Sequence, residues 1–170
     1  MLQAFGVDAV SLDAQLSHRF QPNIELIEAA GPLDGLIVAS PANPTGTMIA
    51  HDELALLAGY CDRRGIRLVS DEVYHGIVYG GRAETALAFS ADAMVVNSFS
   101  KYFSMTGWRI GWMVVPEPML RSVECLAQNL FIAPPTLAPI AAKAGMDCPA
   151  ELNANVERYA RTRTALLAGL

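Results

Sequence analysis

Four short apolar runs punctuate the first two thirds of the chain: DGLIVAS at 34–40, IRLVSDEVY at 66–74, AMVVNSF at 93–99 and RIGWMVV at 109–115. Each predicts a buried strand, and the unbroken apolar character of the first, bounded by Gly35 and Pro41, predicts burial on both of its faces. Between the first two runs the period changes. Leu54, Leu57, Ala58 and Cys61 recur at helical spacing from His51 to Arg64, with Asp52 and Glu53 in the first turn and Gly65 just past the end. That is an amphipathic helix with acidic residues at its positive pole, although Ala50 is a poor cap. Beyond Pro116 the pattern is helical over 117–130, again over about 135–146, and from Ala150 onward.

A strand, helix, strand order implies parallel crossovers and a sheet covered on both sides. The fold class expected is therefore α/β, a three-layer α/β/α arrangement on a mostly parallel sheet. The closing RTRTALLAGL keeps its helical pattern without a stop signal, and the N-terminal segment contains no first strand of an obvious fold. Residues 1–146 are thus expected to be the central part of a larger domain, incomplete at both ends, with 147–170 a helical segment leading towards a further, smaller domain.

Composition narrows the function classes. A 170-residue chain with 52% hydrophobic residues supports one ordinary core and excludes disorder. The net charge of -5 removes the general electrostatic case for binding nucleic acid or an anionic membrane. Cys61, Cys125 and Cys148 are too far apart for a zinc pattern and too few for a disulfide framework, so they read as reduced, mostly buried residues. No apolar run approaches a membrane span, and MLQAFGVDAV lacks a basic flank and a cleavage site, which predicts the cytoplasm.

Candidate chemistry gathers at the predicted strand ends, where ligands of open α/β sheets bind. SPANPTG (40–46) follows the first strand, Asp71 and Tyr74 end the second, Ser98, Ser100 and Lys101 end the third, and Arg109 begins the fourth. An amine, an acid, a phenol, an amide, two hydroxyls and a guanidinium together answer the needs of a phosphorylated aromatic aldehyde. The amine forms an imine, the acid keeps a pyridine nitrogen protonated, and the hydroxyls and arginine hold phosphate. Pyridoxal phosphate fits all of these groups.

The run from Ser98 to Gly111, SFSKYFSMTGWRIG, is similar to the lysine signature of class I/II aminotransferases of the aspartate aminotransferase fold type, and SPANPTG and DEVY resemble two further motifs of that family in the same order. The resemblance implies that Lys101 holds pyridoxal phosphate as a Schiff base and then serves as the general base. It implies that Asp71 pairs with the pyridine nitrogen, that Asn43 and Tyr74 hydrogen-bond the phenolic oxygen, and that Ser98, Ser100 and Arg109 hold the phosphate. It further implies amino acid and 2-oxo acid substrates and a homodimer when complete, with the substrate-gripping arginine and the ring-stacking aromatic outside these residues.

Single residues have blander readings: NPTG as a turn, Tyr74 as a core aromatic, Asp71 as a turn or cap residue, Lys101 as a solvated lysine. The constellation favours the cofactor site. His18, His51 and His75 lack metal-ligand spacing, and only His75 lies near the motifs. Strand alternation turns Glu72 away from Asp71, giving it a structural role, and Trp108 and Trp112 are expected to pack. A β-lyase using the same lysine, the effector domain of a regulator, and a non-catalytic fragment remain as alternatives to an aminotransferase.

Overall fold

The computed structural model describes residues 2–170. Four strands form one sheet in the order β1 (Gly35–Ala39), β2 (Arg67–Asp71), β3 (Met94–Ser98) and β4 (Gly111–Val114). The first three run parallel, with Ala39, Asp71 and Val96 in one row, and β4 is antiparallel to β3 with Ser98 opposite Gly111. The reversal follows from the connection. Only a twelve-residue loop with a single 3₁₀ turn, Thr106–Trp108, joins β3 to β4, and it lacks the α-helix that usually carries a parallel crossover.

Among the described residues five α-helices accompany the sheet: α1 (Ile24–Ala29), α2 (His51–Arg64), α3 (Glu117–Leu130), α4 (Leu137–Met146) and α5 (Pro149–Ala168). Helix α2 has the predicted bounds because its signals are local. Gly65 closes it in the left-handed region at φ 68°, and the Glu53 carboxylate accepts from the Ala50 N–H at 3.0 Å, supplying the cap that an alanine side chain lacks. The short α1 starts at Asn23, whose Oδ1 accepts from Leu26 N at 2.9 Å, and it buries Ile27.

The core lies between α2 and one face of the sheet. Leu54, Leu57, Ala58 and Cys61 pack on Leu36, Val38, Leu68 and Val95, with Ile27 closing one side. Leu54 and Ile27 are each 1% exposed, and truncating either to alanine costs about 2–5 kcal/mol by the usual cavity penalty.

The other face differs from expectation. Ile37 is 59% exposed, so β1 is covered on one face only among the described residues, the face that carries α2 and Ile27 of α1; α3 buries none of its residues. Helices α4 and α5 instead meet the loops. An added Cβ at Gly145 of α4 would lie 3.3 Å from Met105 Sδ, and Asn153 of α5 accepts a 2.8 Å hydrogen bond from the Tyr102 hydroxyl. No described helix is long and apolar enough to cross a membrane.

Candidate active site

Three loops leave the same edge of the sheet, and each carries part of the predicted set. The β1 loop runs from Ser40 to Gly46 and is anchored at its start, where Ser40 N donates to Asp71 O at 3.1 Å and Ser40 Oγ accepts from Ile49 N at 3.1 Å. Gly46, at φ 68°, turns the chain back so that its N–H reaches Ala42 O at 2.7 Å. The exposed Asn43 at its tip donates from Nδ2 to the Tyr74 hydroxyl at 3.1 Å.

Asp71 closes β2. Its Oδ1 accepts from Val73 N at 3.1 Å, which bends the chain out of the strand and delivers Tyr74 three residues later. Of the two bland readings of Asp71, turn or cap, the turn is the one the structure shows. Its second oxygen takes no hydrogen bond from the described residues and remains a free acceptor. Glu72 turns to the opposite side, where it is 2% exposed and accepts from Ala86 N at 2.9 Å and Thr85 Oγ1 at 3.1 Å. Those bonds satisfy a buried carboxylate and explain its structural role.

The β3 loop is pinned at its neck and braced across its middle. Ser98 faces Gly111, Phe99 N donates to Ile110 O at 3.2 Å, and an added Cβ at Gly111 would lie 2.5 Å from Asn97 O, so only glycine allows this approach. Ser98 Oγ accepts from Ser100 N at 3.0 Å, and Thr106 Oγ1 donates to Ser100 O at 2.8 Å. Phe99, Phe103 and Trp112 form an aromatic cluster beneath, with centroid separations of 4.5 Å and 5.0 Å from Phe99. On this base the Lys101 Nζ stands 5.2 Å from the centroid of the Tyr74 ring, a cation–π distance, and it makes no ion pair among the described residues.

Arg109 does not begin β4. It precedes the strand by two residues in the left-handed region, at φ 51° and ψ 50°, with Nη1 donating to Thr106 O at 3.0 Å. Ser104 of the same loop also has a positive φ, 55°. Two non-glycine residues held there cost about 1–2 kcal/mol each, a kind of strain that concentrates at functional segments. Trp108 likewise sits in the 3₁₀ turn and is 44% exposed, whereas Trp112 packs as expected.

Asn43, Tyr74 and Lys101 thus converge directly. Asp71 underlies Tyr74, and Ser98 and Arg109 flank the neck of the lysine loop. A cleft of about 500 Å³ opens beside Asn43 and Tyr74 and is completed by Met48, Ile77, Tyr79 and Arg163; the other five predicted residues do not line it. Arg163, on α5, has its guanidinium 5.5 Å from the Tyr79 ring centroid. Neither Tyr79 nor Arg163 belongs to a motif; only the placement of α5 against the loop brings them together.

Residues 2–170 match the family model for aminotransferases of class I and II. The chain belongs to the class I and II aminotransferases. It is 48% identical over 175 residues to the valine–pyruvate aminotransferase of Mycobacterium tuberculosis, covering 100% of this chain and 45% of that protein. The aspartate aminotransferase of Bacillus subtilis is 35% identical over 121 residues, 68% of this chain and 31% of that one. Among solved structures, an aminotransferase from Mycobacterium tuberculosis matches with a TM-score of 0.93 at 48% identity, over 99% of this chain and 48% of that chain. The aspartate aminotransferase of Thermus thermophilus with maleate matches at 0.87 and 30% identity, over 95% of this chain and 44% of that chain.

The chain therefore spans less than half the length of these relatives. Their fold bears out the α/β class expected from the strand order. Aminotransferases of class I and II use pyridoxal phosphate.

Proposed function

We propose that the protein carrying this chain is an aminotransferase that moves an amino group between an amino acid and a 2-oxo acid with pyridoxal phosphate as its cofactor. The observation that carries the proposal is the convergence of three loops on one point, where Asn43 Nδ2 meets the Tyr74 hydroxyl at 3.1 Å and Lys101 Nζ stands over the Tyr74 ring at 5.2 Å.

The donor set suits the cofactor. A lysine without an ion pair offers its amine to an aldehyde, and Asp71 has a free carboxylate oxygen for a pyridine nitrogen. Asn43 and Tyr74 present hydrogen-bonding groups for a phenolic oxygen, and Ser98, Ser100 and Arg109 offer hydroxyls and a guanidinium for phosphate. When bound, pyridoxal phosphate supplies an aldehyde that captures the amino group and a ring that withdraws electron density from the substrate α-carbon.

The remaining work belongs to the protein. Lys101 Nζ would take the proton from the substrate α-carbon and deliver it to the cofactor's aldehyde-derived C4′ carbon, acting as general base and then acid. Asp71 holds a proton on the ring nitrogen by charge complementarity. Asn43 and Tyr74 stabilise negative charge on the phenolic oxygen, which favours an unprotonated, reactive amine near neutral pH. The fixed neck between Ser98 and Gly111 keeps Lys101 in register with Tyr74.

Substrate choice belongs to the same proposal. Similarity to the Mycobacterium tuberculosis valine–pyruvate aminotransferase makes valine with pyruvate the first pair to assay, and the Bacillus subtilis relative makes aspartate the second. In this reading residues 1–146 belong to the cofactor-holding domain and 147–170 lead towards a smaller one. The proposed state is a cytoplasmic homodimer without nucleic-acid or membrane partners. Exposed apolar residues near the end of α3, Leu130 at 56% and Phe131 at 75%, support a partner copy there. The deciding experiment is amino-group transfer by the protein with and without added pyridoxal phosphate: turnover that requires the cofactor supports the reading, and its absence with every amino acid and oxo acid pair rejects it.

A further inference from the structure

His75 follows Tyr74, and its ring spans the ends of two strands. Nε2 lies 3.1 Å from Ser40 O, the first carbonyl beyond β1, and Nδ1 lies 3.4 Å from Glu72 Oε2, just beyond β2. The far side of that carboxylate is already held, because Oε1 accepts from both Ala86 N and Thr85 Oγ1. The His75 side chain is 20% exposed and that of Glu72 3%. The main chain repeats the link, with His75 N donating to Glu72 O at 2.9 Å.

Both atoms facing the ring are acceptors. The Ser40 carbonyl can only accept, so Nε2 donates to it, while Nδ1 lies beside the Glu72 carboxylate; the ring thus joins the buried start of the β1 loop to a carboxylate fixed in the interior. What this bridge holds is specific. Ser40 begins the loop that carries Asn43, and His75 is the next residue after Tyr74, so the imidazole sets the spacing of the two loops whose tips meet at the 3.1 Å Asn43–Tyr74 contact. That contact is otherwise exposed and has no second brace between the two side chains among the described hydrogen bonds.

We propose that His75 is a positioning residue of the cofactor site, holding Asn43 and Tyr74 at the separation needed to bind one phenolic oxygen together. The proposal rests on the pyridoxal phosphate reading above. His75 touches neither substrate nor cofactor in this role; it acts through the Ser40 carbonyl and Glu72.

The test uses the protein loaded with pyridoxal phosphate, reading the dissociation constant of the cofactor and the pH midpoint of its visible absorbance change, with thermal unfolding in parallel. Loss of one shared hydrogen bond to the phenolic oxygen moves the midpoint upward by roughly half to one pH unit. His75→Ala is expected to show this shift and weaker cofactor binding. His75→Gln, whose longer amide retains a donor for Ser40 O, is expected to recover part of both. His75→Asn, too short to span the two partners but polar enough for a half-buried position, is expected to behave like the alanine variant and serves if that one fails to fold. A folded His75→Ala or His75→Asn variant with the wild-type midpoint and cofactor affinity overturns the proposal, even if its melting temperature falls. A wild-type protein that shows no visible band with pyridoxal phosphate rejects the cofactor reading itself, which is a separate outcome.

Discussion

Gly76 lies against the ring of Tyr102 so closely that a Cβ placed on it would sit 2.6 Å from Cδ2 and 2.7 Å from Cγ. The glycine also has φ +89°, where a side chain is strained whatever the space. Tyr102 neighbours Lys101, and its hydroxyl is fixed by Asn153 of α5. The β2 loop, the lysine loop and the C-terminal helix therefore share one tight contact, and its tightness depends on a missing methyl group.

Gly76→Ala should accordingly destabilise the protein by about 1–2 kcal/mol from the backbone alone, with a further cost for the displaced ring. Adding Tyr102→Ala should remove the steric part and leave the backbone part. Urea unfolding of the single and double variants checks this; a Gly76→Ala protein as stable as wild type would show that the two loops do not pack in this way.

One carboxylate oxygen of Asp71 takes no hydrogen bond among the described residues, and the other holds its own turn. Asp71→Ala should keep much of the cofactor binding supplied by phosphate contacts while slowing transfer by on the order of a hundredfold or more, a few kcal/mol of transition-state stabilisation. Asp71→Glu should be milder. Steady-state rates together with cofactor titration separate the two effects, and an unchanged rate in Asp71→Ala removes the residue from the site.

How much of this was legible in the sequence depends on how local each cause is. Helix α2 could be bounded from its acidic first turn and Gly65, because capping is decided within a few residues. The convergence of Asn43, Tyr74 and Lys101 was readable because each ends or follows a parallel strand, and parallel strands bring their ends to one edge. Ile37 could not be read: an apolar residue in a strand announces a partner, and whether a second layer lies there depends on distant chain. Arg109 was misplaced by two residues because RIGWMVV gives no sign that a left-handed residue precedes the strand. Tyr79 and Arg163 meet only through tertiary placement, and His75 reaches the Ser40 carbonyl in the same way, without a spacing signal.

Cys61 is 0% exposed, and burial first, then the adjacent Asp62 carboxylate, pushes its thiol up to about 11. Below that pH it stays protonated and unreactive, because the thiolate is the nucleophile. Alkylation of the folded protein at pH 8 should label Cys125 and Cys148, which are partly exposed, and leave Cys61 unmodified until denaturant is added. Peptide mapping reads this directly; labelling of Cys61 at the same rate as the other two would contradict the packing of α2 on the sheet.

Lys101 is the lysine proposed to hold the cofactor. The chain has one other lysine, Lys143, which is exposed near the end of α4 and outside the converging loops. Borohydride reduction of the protein loaded with pyridoxal phosphate, followed by peptide mapping, fixes the aldehyde to whichever amine carries it. The label is predicted on the peptide containing Ser98 to Lys101, and a label on Lys143, or on neither lysine, would contradict the assignment.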